Sequence, residues 1–159
     1  MMTTRIRPAI LGLLAGVAAL ASGTNSVSAS PRSGSLQVEK ECSEYQGQPG
    51  QFCTITSSSL SEIVPGAKVV YTQPANIPVN MLDSNVLLDA GEGNRAIGRC
   101  TLDFATGRGL CTFSDGTGSF AGFYARVEVS SPGFEGDDWH WRGTYGFREG
   151  VTRPRAGDQ

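Results

Sequence analysis

His140 is the only histidine in the 159-residue chain, so any acid–base pair built on imidazole has to use it. No serine sits in a GxSxG elbow, which argues against an acyl-transfer triad. Asp137, Asp138 and His140 are close in sequence. However, His140 alternates with Trp139 and Trp141 along an extended segment, which sends it to the opposite face from the rings and reads as a surface histidine. Asp83, Asp89 and Glu92 gather around the loop AGEGN. They lack the DxDxDG spacing of a calcium loop and read as turn and rim acids. The four cysteines, Cys42, Cys53, Cys100 and Cys111, have neither the short Cys-x₂₋₄-Cys spacing of a zinc site nor a redox-active CxxC. No metal and no cofactor is expected.

Two features are left that could carry function. The first is an aromatic set: Tyr71, Trp139, Trp141 and Tyr145, with Phe104, Phe113 and Phe123. In a small barrel such side chains either fill the interior or line an apolar cavity with a few hydroxyl handles. The ligand-binding candidates are Tyr71, Phe123, Trp139, Trp141 and Tyr145. A buried acid projecting into such a cavity, from Asp83 or Glu128, would support chemistry there.

The second feature is glycine-rich. "CTFSDGTGSFAGFYARVEVSS", residues 111–131, places Gly116, Gly118 and Gly122 close together. A phosphate loop needs GK[ST], and a dinucleotide loop needs GxGxxG followed by a helix. Here no lysine follows, the spacing misses by one, and the next residues alternate as a strand. Asp115-Gly116 reads as a turn in which Gly supplies positive φ, with Gly118 and Gly122 allowing close backbone approach or a bulge at a barrel rim.

The elements that must position these groups are short and extended. Eight alternating runs are separated by Gly, Pro, Asn and Asp clusters: 35–43, 51–60, 67–73, 81–89, 95–104, 109–114, 119–130 and 138–147. In the first, Leu36, Val38, Lys40 and Cys42 share one face. In the seventh, Phe123, Ala125, Val127 and Val129 do, and in the eighth Trp139, Trp141, Gly143, Tyr145 and Phe147 do. Short connections favour antiparallel neighbours. The expected fold class is all-β, a single eight-stranded antiparallel barrel over 35–148, whose closure removes exposed edges. Residues 30–34 read as a linker and 149–159 as a disordered tail.

Each cysteine pair, 42/53 and 100/111, is separated by 11 positions and brackets a turn-like segment. Two disulfides are expected, and local cross-hairpin bridges are preferred over the crossed connectivities. Upstream, Arg5 and Arg7 precede the 13-residue apolar run Ala9–Ala21, and Val27-Ser28-Ala29 offers small residues for cleavage. Residues 1–29 therefore read as a secretory signal peptide, since a bilayer span needs about 20 apolar residues. The expected location is secreted or periplasmic, with no membrane association after cleavage. Beyond Ala29, 11 Lys/Arg face 15 Asp/Glu, a net charge of −4, and the basic residues are scattered. Nothing there attracts nucleic acid or anionic lipid.

"RAIGRCTLDFATGRGLCTF", "DGTGSFAGFYARVEV" and the closing "WHWRGTYGF" together resemble the strand–turn–strand unit, glycine turn and last barrel strand of the allene oxide cyclase-like and dirigent-like proteins, in a secreted bacterial form. The resemblance covers roughly residues 69–147 and implies an eight-stranded calycin-like β-barrel. Plant cyclases of that group close an unstable epoxide into a cyclopentenone, dirigent proteins steer phenoxy-radical coupling, and related bacterial barrels are associated with polyketide cyclisation. The resemblance carries no individual catalytic residue onto this chain.

Three functions follow as expectations. The first is a secreted barrel whose partner is a small hydrophobic ligand bound in the lumen. The second is a cyclase or isomerase that holds a flexible substrate in one folded shape and excludes water. The third is a non-catalytic structural or interaction module with a packed lumen.

Overall fold

A computed structural model describes residues 33–131 and 137–148. The expected leader and disordered tail lie outside the described residues. The strands are β1 (Ser33–Glu41), β2 (Phe52–Ser58), β3 (Lys68–Tyr71), β4 (Met81–Asp89), β5 (Arg95–Asp103), β6 (Arg108–Thr117), β7 (Phe123–Ser130) and β8 (Asp138–Phe147). Each pairs antiparallel with the next, and β8 returns to β1, closing the sheet into a barrel in sequence order. The seam runs from Ser33 opposite Gly146 to Glu41 opposite Asp138, so neither terminal strand is a free edge.

Period-two alternation explains which side chains fill the lumen. On β7, Phe123, Ala125, Val127 and Val129 are buried, while Tyr124, Arg126 and Glu128 are exposed. On β1, Leu36, Val38 and Lys40 are buried between exposed Ser35, Gln37 and Glu39. Rings pack at one end of the barrel. Phe123 meets Phe120 at 5.2 Å, Phe147 at 5.3 Å and Phe113 at 6.1 Å between centroids. Leu60 and Ile63, from the β2–β3 connection at that end, are fully buried. This half of the lumen is a packed plug, as protein interiors usually are.

Both disulfides take the cross-hairpin pairing, Cys42–Cys53 and Cys100–Cys111. Cys100 and Cys111 are direct partners in the β5–β6 ladder. Cys42 follows β1 in register with Cys53 of β2, because Glu41 pairs with Thr54. Equal spacing in the two pairs therefore reflects two hairpins stapled in the same way. Two such bridges are consistent with an oxidising environment.

The glycine-rich stretch corrects one expectation. Asp115-Gly116 is not the turn, because β6 continues through both residues and Gly116 pairs with Ala96. The chain reverses instead at Gly118 (φ +61°) and Gly122 (φ +75°), around a short 3-10 turn, Gly118–Phe120. Gly116 is needed for proximity: a Cβ there would stand 2.6 Å from the Cβ of Phe120, which the turn folds back onto the strand. A register shift opposite Ile97 and Gly98 leaves Ser114 as the extra residue of a bulge in β6. The stretch is a barrel corner. The seventh strand accordingly begins at Phe123 rather than Ser119.

Candidate functional site

The opposite end of the barrel is open among the described residues. A cavity of about 330 Å³ enters the lumen there, between the end of β1, the start of β2, the end of β3 and the strand ends of the other half of the sheet. Its wall is mostly apolar, with Tyr45, Tyr71, Leu82, Leu102, Phe104 and Trp139 among the lining residues, and the Cys42–Cys53 bridge lies on one side. Ile77 and Val79, on the β3–β4 connection, and Met81, at the start of β4, are exposed at the same end.

At the inner edge sits Lys40, which also lines the cavity. Strand alternation points it inward after Leu36 and Val38, and it is 3 % exposed. Its Nζ donates a hydrogen bond to the hydroxyl of Tyr71 at 2.7 Å and lies 3.6 Å from Sγ of Cys53. Three rings surround the amine, with centroids 5.3 Å away at Trp141, 5.4 Å at Tyr71 and 6.0 Å at Trp139. Among the described residues it has no carboxylate partner. Burial pulls its pKa down from the ordinary 10.5 to about 7. The ring faces act in the other direction, since they attract the cation.

Two phenols complete the polar part. Burial holds the Tyr71 hydroxyl well above the usual phenol range, with neighbouring Tyr45 adding to it. Burial pushes Tyr45 up to about 12. Both phenols therefore keep their protons at any physiological pH and remain able to donate. The rings of Tyr45 and Tyr71 lie 4.5 Å apart. The Tyr45 hydroxyl is enclosed without a hydrogen-bond partner among the described residues, as is Nε1 of Trp141.

The five aromatic candidates divide between the two ends. Tyr71 and Trp139 line the cavity. Trp141 is fully buried beneath it and bridges the two halves, 5.4 Å from Phe113. Phe123 belongs to the plug, and Tyr145 lies on the same side, 6.1 Å from Phe147. Neither of these two lines the cavity. Asp83 and Glu128, the acids considered for a role inside, both face outward, and Asp83 pairs with Arg99 at 2.6 Å. His140 lies on the outer face of β8, 3.9 Å from Glu39. Asp89 pairs with Arg95 at 3.2 Å, and Glu92 occupies a turn position with φ +53°. No cluster of metal-ligating side chains forms among the described residues.

The candidate list omits Lys40 and Tyr45. The signal for Lys40 is present in the alternation: one charged residue among Leu36, Val38 and Cys42 on the inward face of the first strand. A charged side chain on an apolar face is more informative than another aromatic ring. Tyr45 sits in a loop where no periodicity applies. No family model, no curated protein and no solved structure matches the chain.

Proposed function

We propose that the protein is an exported barrel that binds a small hydrophobic ligand in the open end of its lumen. The observation that carries this reading is the cavity itself: about 330 Å³, walled by rings and leucines, with one buried amine–phenol pair at its inner edge. Cavities that hold small molecules are mostly apolar, with a few fixed polar groups that orient the occupant. Here Tyr45, Trp139, Leu82, Leu102 and Phe104 would contact an apolar body, and Lys40 and Tyr71 would meet a single oxygen-bearing group. An exported location fits the basic-then-apolar leader pattern and the two disulfides.

The chain's two tryptophans, Trp139 on the wall and Trp141 beneath it, make intrinsic fluorescence a local reporter. Titration with a straight-chain C8 alcohol is expected to change the emission saturably, at one equivalent per chain. Mass spectrometry under native conditions should show the same stoichiometry, or a small molecule retained from the source cells. An emission unchanged by alcohols and fatty aldehydes, with no retained molecule, would overturn the reading.

A further inference from the structure

We propose that Lys40 is a nucleophile that captures an aldehyde or ketone group of the cavity's ligand as an imine. This names the ligand's reactive group and rests on the ligand-binding reading above. Lys40 lines the cavity, and its amine has no carboxylate to hold it as a cation among the described residues and lies 2.7 Å from the Tyr71 hydroxyl. A lysine placed in an apolar pocket is activated as a nucleophile, because desolvation favours its neutral amine. Among the described residues, the titratable groups around it are Tyr45 and Tyr71, both protonated, and Asp137, whose residue is exposed at the cavity rim.

The step balances without any co-reactant. The Nζ lone pair forms the bond to the carbonyl carbon, and the π pair of the C=O moves to oxygen. The Tyr71 hydroxyl donates its proton to that oxygen and recovers one from the nitrogen, giving a neutral carbinolamine. Loss of the new hydroxyl with the remaining nitrogen-bound proton releases water and leaves a C=N bond between Lys40 and the ligand. Nothing is oxidised or reduced. The apolar wall favours water's departure and slows hydrolysis of the product.

Because burial lowers its pKa, Lys40 carries a free lone pair at pH 7 far more often than an ordinary solvated lysine, which does so on the order of once in 10³. The only other lysine, Lys68, is exposed and serves as an internal comparison. The test treats the intact protein with octanal and cyanoborohydride at pH 7, then maps the alkylated peptides after unfolding and proteolysis. Lys40 should be alkylated at least roughly tenfold more than Lys68, an excess that follows from its larger neutral fraction. Octanol should suppress labelling at Lys40 alone, and Lys40→Met should abolish that label. Saturable octanol binding by fluorescence, together with Lys68 labelled as heavily as Lys40, would overturn the imine while leaving ligand binding intact. Absence of any saturable response to octanol or octanal would remove both.

Discussion

Replacing Lys40 with methionine should make the protein more stable at neutral and acidic pH and less stable at alkaline pH. The folded pKa of Lys40 is depressed, from 10.5 to about 7, so between those values the unfolded chain binds more protons than the folded one. Stability must therefore rise with pH across that window, and the cost of burying the ammonium is fully present below it. A drop of about three and a half pH units, at about 1.4 kcal/mol each, gives a ceiling of roughly 5 kcal/mol. The ring faces of Trp141 and Tyr71 offset part of this, leaving about 3–4 kcal/mol. Methionine, one heavy atom shorter, keeps an unbranched apolar side chain in contact with the rings. It strands the Tyr71 hydroxyl, at a cost of about 2 kcal/mol. The variant should then gain about 1–2 kcal/mol at pH 6, the difference of these two terms. The two stability curves should cross at about pH 9, where the remaining ammonium cost has fallen to that of the stranded hydroxyl. Near pH 10 wild type should be ahead. Above that, Tyr45 and Tyr71, whose pKa values are raised, begin to subtract stability from both proteins. Denaturant unfolding followed by far-ultraviolet circular dichroism from pH 6 to pH 10 measures all of this. A variant less stable than wild type at pH 6, or a wild type whose stability is flat from pH 7 to pH 10, would refute the claim that Lys40 is buried with no carboxylate partner among the described residues.

Alkylation of the unfolded but unreduced protein should add no mass, because all four cysteines are bridged, and any labelled thiol would contradict the pairing. Removing the Cys100–Cys111 bridge by a double change to alanine should cost about 2–4 kcal/mol and leave the circular dichroism spectrum unchanged, since the ladder around it remains. Gly116→Ala should destabilise by about 1–3 kcal/mol by forcing the corner at Phe120 away from β6, which a melting curve would show; an unchanged midpoint would mean that the corner is loose. Tyr45→Phe removes an enclosed hydroxyl that has no partner among the described residues, so thermal stability should hold or rise by up to about 1 kcal/mol. A loss of more than that would reveal a bond to the hydroxyl.

The strands were legible because half of each points inward, and residues such as Val127 and Val129 alternate with Arg126 and Glu128 without a break. The disulfide pairing was legible for the same reason: in an antiparallel hairpin, equal offsets from a turn bring two side chains opposite each other. Depth along the barrel axis was not. Alternation places Trp139, Trp141 and Tyr145 on one face, but it is the pairing of Tyr145 with Ala125 and of Phe123 with Phe147 that puts Tyr145 and Phe123 at the plugged end. Strand stagger sets that depth, and stagger is a property of the whole closed sheet. The glycine corner was misplaced by two residues because a glycine required by crowding looks the same in sequence as one required by positive φ. Lys40 showed its side but not its meaning, which depends on Tyr71, 31 positions away.

Because neighbours in the barrel are also neighbours along the chain, seven of its eight strand pairings can form from nearby segments, and only the β1–β8 seam unites distant ones. Each disulfide joins residues 11 positions apart within one of those nearby pairings. Oxidation can thus proceed on loose hairpins before the cylinder shuts, and neither bridge can lock the two terminal ribbons together in a wrong alignment. The seam joining first strand to last is held by hydrogen bonds and side-chain fit alone, with no covalent link across it.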